Sequence, residues 1–234
     1  MPFYSNQYDL IVVGAGHAGC EAALAAARMG CRVVLLAIDL DKLAAMPCSP
    51  SIGGMAKGQL VKEIDALGGE MAKTTDKTAI QYRTLNTKKG PAVHSSRTQN
   101  DKVRYHMAMK AVVEAQTGLE LKQAKVQRLV LEDQRLVGVE DNTGFGYQAP
   151  NVILATGTFL SGLIHIGFKS IKAGRAGEFA SYGLAANLKA LGFRLGRVKT
   201  GTPPRLRNSG LVFRKVAMRG GVAEATAVSG VSEM

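Results

Sequence analysis

The chain has 234 residues, 46% of them hydrophobic, with 30 basic against 18 acidic side chains and a net charge of +12. That length suits one large or two small domains with a real core, and no apolar run approaches the ~20 residues needed to span a bilayer, so no membrane role is expected. Three cysteines without paired metal spacing, and no secretory signal ahead of the first strand, point to a reduced cytoplasmic protein without a metal centre.

The first element sets the reading of the rest. An apolar run, Leu10–Val13, ends in Gly14-Ala15-Gly16-His17-Ala18-Gly19, then an alanine-rich helical segment runs to Met29-Gly30, and a second apolar run covers residues 33–36. Strand, glycine turn, helix and strand form the βαβ start of a dinucleotide-binding fold. Gly14 allows the tight turn, Gly16 lets the backbone approach a pyrophosphate, and Gly19 lets helix and strand pack closely. The helix N-terminus offers free N–H groups and partial positive charge to the phosphates. His17 reads as a solvent-facing turn residue, and Cys20 and Cys31 as small apolar fillers. Ala37 stands where many NAD sites carry an acid; Asp39 and Asp41 follow, as substitutes for it or as solvated side chains.

Residues 46–58 hold two prolines and three glycines, a composition that predicts irregular structure. Cys48 lies in this constrained loop, ahead of a helix over 59–67 and near Lys57 in sequence. The setting suits a nucleophile and equally suits a cysteine that merely packs. The helix is expected to bury Leu60, Ile64 and Leu67. Residues 82–99 read as a polar, basic loop broken by Gly90-Pro91, either binding phosphates through Lys88, Lys89 and Arg97 or solvated. A helix over 101–116, with Val103, Met107, Ala111 and Val112 on one side, and a strand over 119–126 follow. The region 129–139 and the turn Asp141-Asn142-Thr143-Gly144 read as a small β-meander. Then Val152-Ile153-Leu154-Ala155-Thr156-Gly157 resembles the late strand of disulfide-reductase-like flavoproteins that runs beneath FAD. A basic, glycine-containing stretch covers 169–177, a helix covers 184–191, and residues 193–206 alternate with four cations. The charge excess fits a polyanionic partner or simply a basic enzyme. With Trp absent, phosphate contact is favoured over base stacking.

Several stretches together resemble one family. They are Gly14-Ala15-Gly16-His17-Ala18-Gly19-Cys20-Glu21-Ala22-Ala23, Met46-Pro47-Cys48-Ser49-Pro50-Ser51-Ile52-Gly53-Gly54, Glu63-Ile64-Asp65-Ala66-Leu67-Gly68-Gly69, Gly90-Pro91-Ala92-Val93 and Lys199-Thr200-Gly201-Thr202-Pro203-Pro204-Arg205. In collinear order over residues 8–207, they resemble the glucose-inhibited division protein A family of tRNA uridine 5-carboxymethylaminomethyl modification enzymes. The resemblance implies an α/β fold: a Rossmann-like, disulfide-reductase-like FAD-binding domain over 1–207, with a parallel central sheet and a small β-meander. Residues 208–234 then form a divergent tail. It further implies FAD as cofactor, NADH in the full-length family, tRNA as substrate, a GTPase partner (MnmE) and a cytoplasmic homodimer. Its FAD contacts map onto Gly14, Ala15, Gly16, His17, Ala18, Gly19, Val126 and Ser181, to which the flavoprotein-like strand adds Thr156 and Gly157. Its cysteine of interest maps onto Cys48, and Lys88, Lys89, Arg97, Lys199 and Arg205 are expected to face RNA. Family members are longer, so the chain reads as an N-terminal portion. The alternatives are the folate- and FAD-dependent tRNA uridine methyltransferases, and a catalytically inactive FAD- or RNA-binding module.

Overall fold

The computed structural model describes residues 3–201. In chain order the first elements are β1 (Phe3–Gln7), β2 (Leu10–Val13), α1 (His17–Arg28), β3 (Val33–Ala37), β4 (Ser51–Gly53), α2 (Lys57–Ala66), α3 (Met71–Thr78), β5 (Ala79–Leu85) and β6 (Ser95–Asn100). They are followed by α4 (Lys102–Ala115), β7 (Leu119–Gln123), β8 (Val126–Glu132), β9 (Arg135–Asp141), β10 (Gly146–Gln148), β11 (Val152–Leu154), β12 (Ile164–Ile166), β13 (Lys169–Ile171) and α5 (Gly183–Ala190). The chain divides into two compact units. Among the described residues, one comprises residues 3–45 with His106–Arg197, the other Met46–Tyr105 with residues 198–201. Among the described residues no helix is long and apolar enough to cross a membrane.

The first unit is built on a parallel sheet of order β11-β2-β3-β7, in which Val12 pairs with both Ile153 and Leu35. Strands 2 and 3 are apolar throughout, as strands covered on both faces must be. One face, carrying Ile11, Val13, Val34 and Leu36, shares a core with Val126, Val139 and Tyr147 of a second sheet and with Leu184 and Leu188 of α5. That second sheet, β1-β10-β9-β8, is the expected meander, with β1 added in parallel to β10. Helix α1 presents a small-residue stripe, Gly19, Cys20, Ala23, Leu24 and Ala27, all buried, and period-3.6 spacing puts these on one face. This is the Rossmann-like α/β architecture the sequence predicts.

The second unit carries an antiparallel sheet, β4-β6-β5. Its interior is polar and hydrogen-bonded. Thr98 Oγ1 donates to Asn100 Oδ1 (2.7 Å), and Asn100 Nδ2 donates to Thr75 O (3.0 Å) and Thr78 Oγ1 (3.1 Å). Such groups are tolerated in a core because they satisfy one another.

Four sequence expectations are corrected here. Residues 51–53, expected to be irregular, add to β6 as an edge strand, with Ile52 opposite Thr98 and buried. The basic loop over 82–99 is largely the β5–β6 hairpin, in which Arg83 pairs with Arg97. On α2 the buried residues are Gly58 and Val61, while Leu60 and Leu67 are 57% and 90% exposed. A Cβ on Gly58 would lie 2.9 Å from Ser96 O, so close backbone approach to β6 selects that face over the apolar one. On α4, Tyr105, Met109 and Val113 are buried while Val103, Met107 and Ala111 are exposed. Both stripes recur at helical spacing, and the larger side chains take the inner face.

Candidate cofactor and thiol sites

The glycine turn joins β2 to α1 at the carboxyl end of the parallel sheet. Gly14 N donates to Leu36 O and Ala155 N to Val13 O, both at 2.8 Å, so the turn lies between the ends of β3 and β11. Gly14 has φ +105°, and a Cβ there would sit 2.4 Å from Ala155 O. At Gly19 a Cβ would meet the Gly14 carbonyl. Gly16 differs from both: it caps α1 with φ −77°, and a Cβ there meets nothing within 4 Å. Two glycines thus close the fold, and the third keeps open a space beside the helix N-terminus. No acidic residue lies in the first turn of α1 to offset its dipole. Bare amides, open space and uncompensated positive charge fit the diphosphate of a dinucleotide.

His17 is corrected from a solvent-facing turn residue. The strand-to-helix handover falls at Gly16, so His17 is the first residue of α1 and half-buried. Burial, and then the Arg175 charge, hold its imidazole below the ordinary range. Cys20 is buried, with Sγ 3.6 Å from Ala15 O. Burial, then Glu21, push its thiol up to about 12, which makes it a filler rather than a nucleophile. Asp39 accepts from Asp41 N (2.8 Å) and Asp41 pairs with Lys110 (3.1 Å), so both acids are engaged locally.

The structure joins the remaining residues of the first unit's candidate set. The Thr156 Cα is 3.4 Å from where a Gly14 Cβ would be, so Thr156 and Gly157 flank the turn. The loop they begin runs to Ser181, where Ser181 N donates to Phe159 O (2.8 Å) and Ser161 N to Ser181 O (2.9 Å). Ser181 Oγ in turn donates to Val126 O (3.3 Å), and both residues are buried. Val126 and Ser181, more than fifty positions apart, are in direct contact and tied to the loop beside the turn.

The second unit gathers a different set. Cys48 is exposed, and its Sγ–H donates to Gly201 O at 3.1 Å, which brings the cysteine loop to the Lys199-Thr200-Gly201 segment. Ser49 Oγ donates to Ser51 Oγ (2.9 Å), and Arg97 Nη2 donates to the same Ser51 oxygen (3.1 Å). Arg97 is thereby tethered beside the loop that carries Cys48. Lys88 and Lys89 are exposed in the turn after β5 that Lys89 N closes on Asn86 O (2.8 Å). Lys199 is exposed; Arg205 and the 208–234 tail lie outside the described residues.

The model of the glucose inhibited division protein A family matches residues 9–233, past the motifs that end at Arg205. The chain belongs to this family. It is 63% identical over 210 residues to the tRNA uridine 5-carboxymethylaminomethyl modification enzyme MnmG of Syntrophobacter fumaroxidans, covering 90% of this chain and 33% of that protein. The MnmG of Geobacter sulfurreducens is 58% identical over 213 residues, covering 91% and 34%. Among solved structures, GidA of Aquifex aeolicus superimposes with a TM-score of 0.94 at 45% identity, over 99% of this chain and 38% of its own. A GidA-related protein from Thermus thermophilus is more distant, with a TM-score of 0.60 and 27% identity over 81% of this chain and 70% of its own. The chain spans about a third of the length of the curated glucose inhibited division protein A relatives it matches.

Proposed function

We propose that the chain is the FAD-binding portion of a tRNA-modifying flavoenzyme that installs a carboxymethylaminomethyl-type group on C5 of the wobble uridine. The observation that carries this reading is the glycine turn, where Gly14 and Gly19 have no room for a side chain and Gly16 leaves open space at the α1 N-terminus. Gly14, Ala15, Gly16, His17, Ala18 and Gly19 hold the diphosphate; Val126, Thr156, Gly157 and Ser181 line the same crevice. Relatives named for this modification, at up to 63% identity, favour it over the folate-dependent methyltransferase reading and over an inactive binding module.

Uracil C5 is a poor nucleophile until a group adds at C6. In the proposed reaction the Cys48 thiolate adds at C6 and places negative charge on C5, which then bonds to the one-carbon unit. Loss of the C5 proton expels the thiolate and restores the ring. When bound, FAD supplies the redox chemistry of the transferred carbon. Lys88, Lys89, Arg97, Lys199 and Arg205 contact tRNA phosphates, consistent with a net charge of +12. In the complete protein, NADH, the GTPase partner MnmE, a homodimer and a cytoplasmic setting belong to the same proposal.

Two measurements test it. The purified chain should carry, or take up from solution, a flavin with its characteristic absorption. In a strain lacking the full-length gene, the full-length protein should restore the wobble modification, read by nucleoside mass spectrometry, and its Cys48→Ser form should not. A chain that binds no FAD, or full modification by the serine form, refutes the corresponding half.

A further inference from the structure

One cation outside the recognised motifs is held on the loop that begins beside the glycine turn. Arg175 belongs to the first unit, in the segment after β13. Its guanidinium stacks on Phe159, 4.8 Å from the ring centroid, and its Nη2 is 3.0 Å from Glu178 Oε2. The backbone closes the same contact, with Gly174 N donating to Glu178 O and Glu178 N to Arg175 O, each at 3.0 Å. Gly174 admits no side chain, since a Cβ there would fall 2.2 Å from the Phe159 ring. Phe159 itself is carried by the loop that leaves β11 beside the glycine turn, and its N–H donates to Thr156 O (3.1 Å). Arg175 is therefore held by Phe159, by the Glu178 carboxylate and by its own backbone, on the loop that begins beside the turn, and its charge reaches His17 at the start of α1.

The arrangement leaves donor capacity unused. The Arg175 and Glu178 side chains are each 19% exposed, and among the described residues the buried Nε of Arg175 has no hydrogen-bond partner. A largely desolvated guanidinium with one carboxylate partner and a spare N–H is costly to keep unless a second acceptor arrives. Its planar fork suits phosphate oxygens. We infer that Arg175 is a cofactor-binding residue, contributing a charge-assisted contact to the dinucleotide diphosphate, with Phe159 and Glu178 holding it in place. The inference rests on the FAD-binding reading above.

Glu178 provides a test with opposite signs. FAD affinity is measured by fluorescence titration for the 234-residue chain and for Arg175→Gln, Glu178→Gln and Gly16→Ala, with ligand-free melting curves beside it. Arg175→Gln should weaken FAD about 10- to 100-fold, the loss expected for a hydrogen bond to a charged group. Glu178→Gln should tighten FAD, because the freed guanidinium has the diphosphate as its remaining anionic partner. A cluster that only staples the loop makes both changes act alike, lowering melting temperature and affinity together. Unchanged FAD affinity in Arg175→Gln, or unchanged or weaker affinity in Glu178→Gln, overturns the inference. If Arg175→Gln does not fold, the Glu178→Gln result alone decides. No FAD binding by the wild-type chain defeats both readings, whereas loss in Gly16→Ala with retention in Arg175→Gln defeats this inference alone.

Discussion

Replacing Gly16 by alanine separates fold from cofactor, because the structure assigns the three glycines different duties. The new methyl at residue 16 meets no heavy atom within 4 Å, and φ −77° is open to any residue. Two small effects on stability oppose each other. Alanine restricts the unfolded chain, worth about 0.4–1 kcal/mol, but it is a poorer helix N-cap than glycine by a similar amount. The ligand-free melting temperature should stay within about 2 °C of wild type, as a net change near 0.5 kcal/mol shifts a domain of this size by no more. The same methyl stands in the space proposed for the diphosphate and should weaken FAD by about 1–3 kcal/mol, or roughly 5- to 150-fold. Gly19→Ala gives the converse, since its Cβ runs into the Gly14 carbonyl; that variant should melt several degrees lower or fail to fold. Flavin fluorescence titration and thermal melts of both variants check the pair. Wild-type FAD affinity in Gly16→Ala, or a melting loss there equal to that of Gly19→Ala, refutes the division of labour.

Three further outcomes are expected. A thiol reagent should label exposed Cys48 first and buried Cys20 only on unfolding; fast labelling of Cys20 in the folded chain contradicts its packing. His17 is held low by burial first and Arg175 second, so protonation favours the unfolded chain. Its contribution to stability should be complete above about pH 6.5 and lost as pH falls from there toward the folded value. His17→Gln should flatten the fall in melting temperature between pH 7.5 and 5, and an unchanged slope rejects this. Replacing Lys88, Lys89, Arg97, Lys199 and Arg205 by alanine in the full-length protein should weaken tRNA binding and lower its salt slope by about 0.7–0.9 unit per lost phosphate contact; identical isotherms across salt return these cations to solvent.

The geometry of the glycine turn was legible because it is written in spacing. A glycine triplet between two apolar runs fixes strand, turn and helix within a few residues, and the strand over 152–154 duly joins the same sheet. The Val126–Ser181 contact was not, because nothing local links residues so far apart; family resemblance alone pointed to both. Helix faces misled where two apolar stripes competed. On α2 the decision fell to Gly58, whose lack of a side chain permits contact with β6, and hydrophobic periodicity gives a glycine no weight. Proline and glycine over 46–58 argued against regular structure, yet an edge strand needs only a few backbone groups facing β6. The setting of Arg175 is not legible in sequence because its burial depends on Phe159, sixteen positions away, as well as on Glu178.

The order of strands in the parallel sheet also sets a timetable for synthesis. Strand β2 pairs with β3 at once, but its other neighbour, β11, leaves the ribosome about 140 residues later. At about 5–20 residues per second, that edge of β2, carrying Leu10, Ile11, Val12 and Val13, stays unpaired for roughly 7–28 s. Meanwhile all of residues 46–105, with their self-contained antiparallel sheet, have been made. The nascent protein thus carries an open, wholly apolar strand edge while about 140 further residues are made, the kind of edge that invites pairing with another chain. Until Val152 arrives, that exposure falls to chaperones and to the speed of translation.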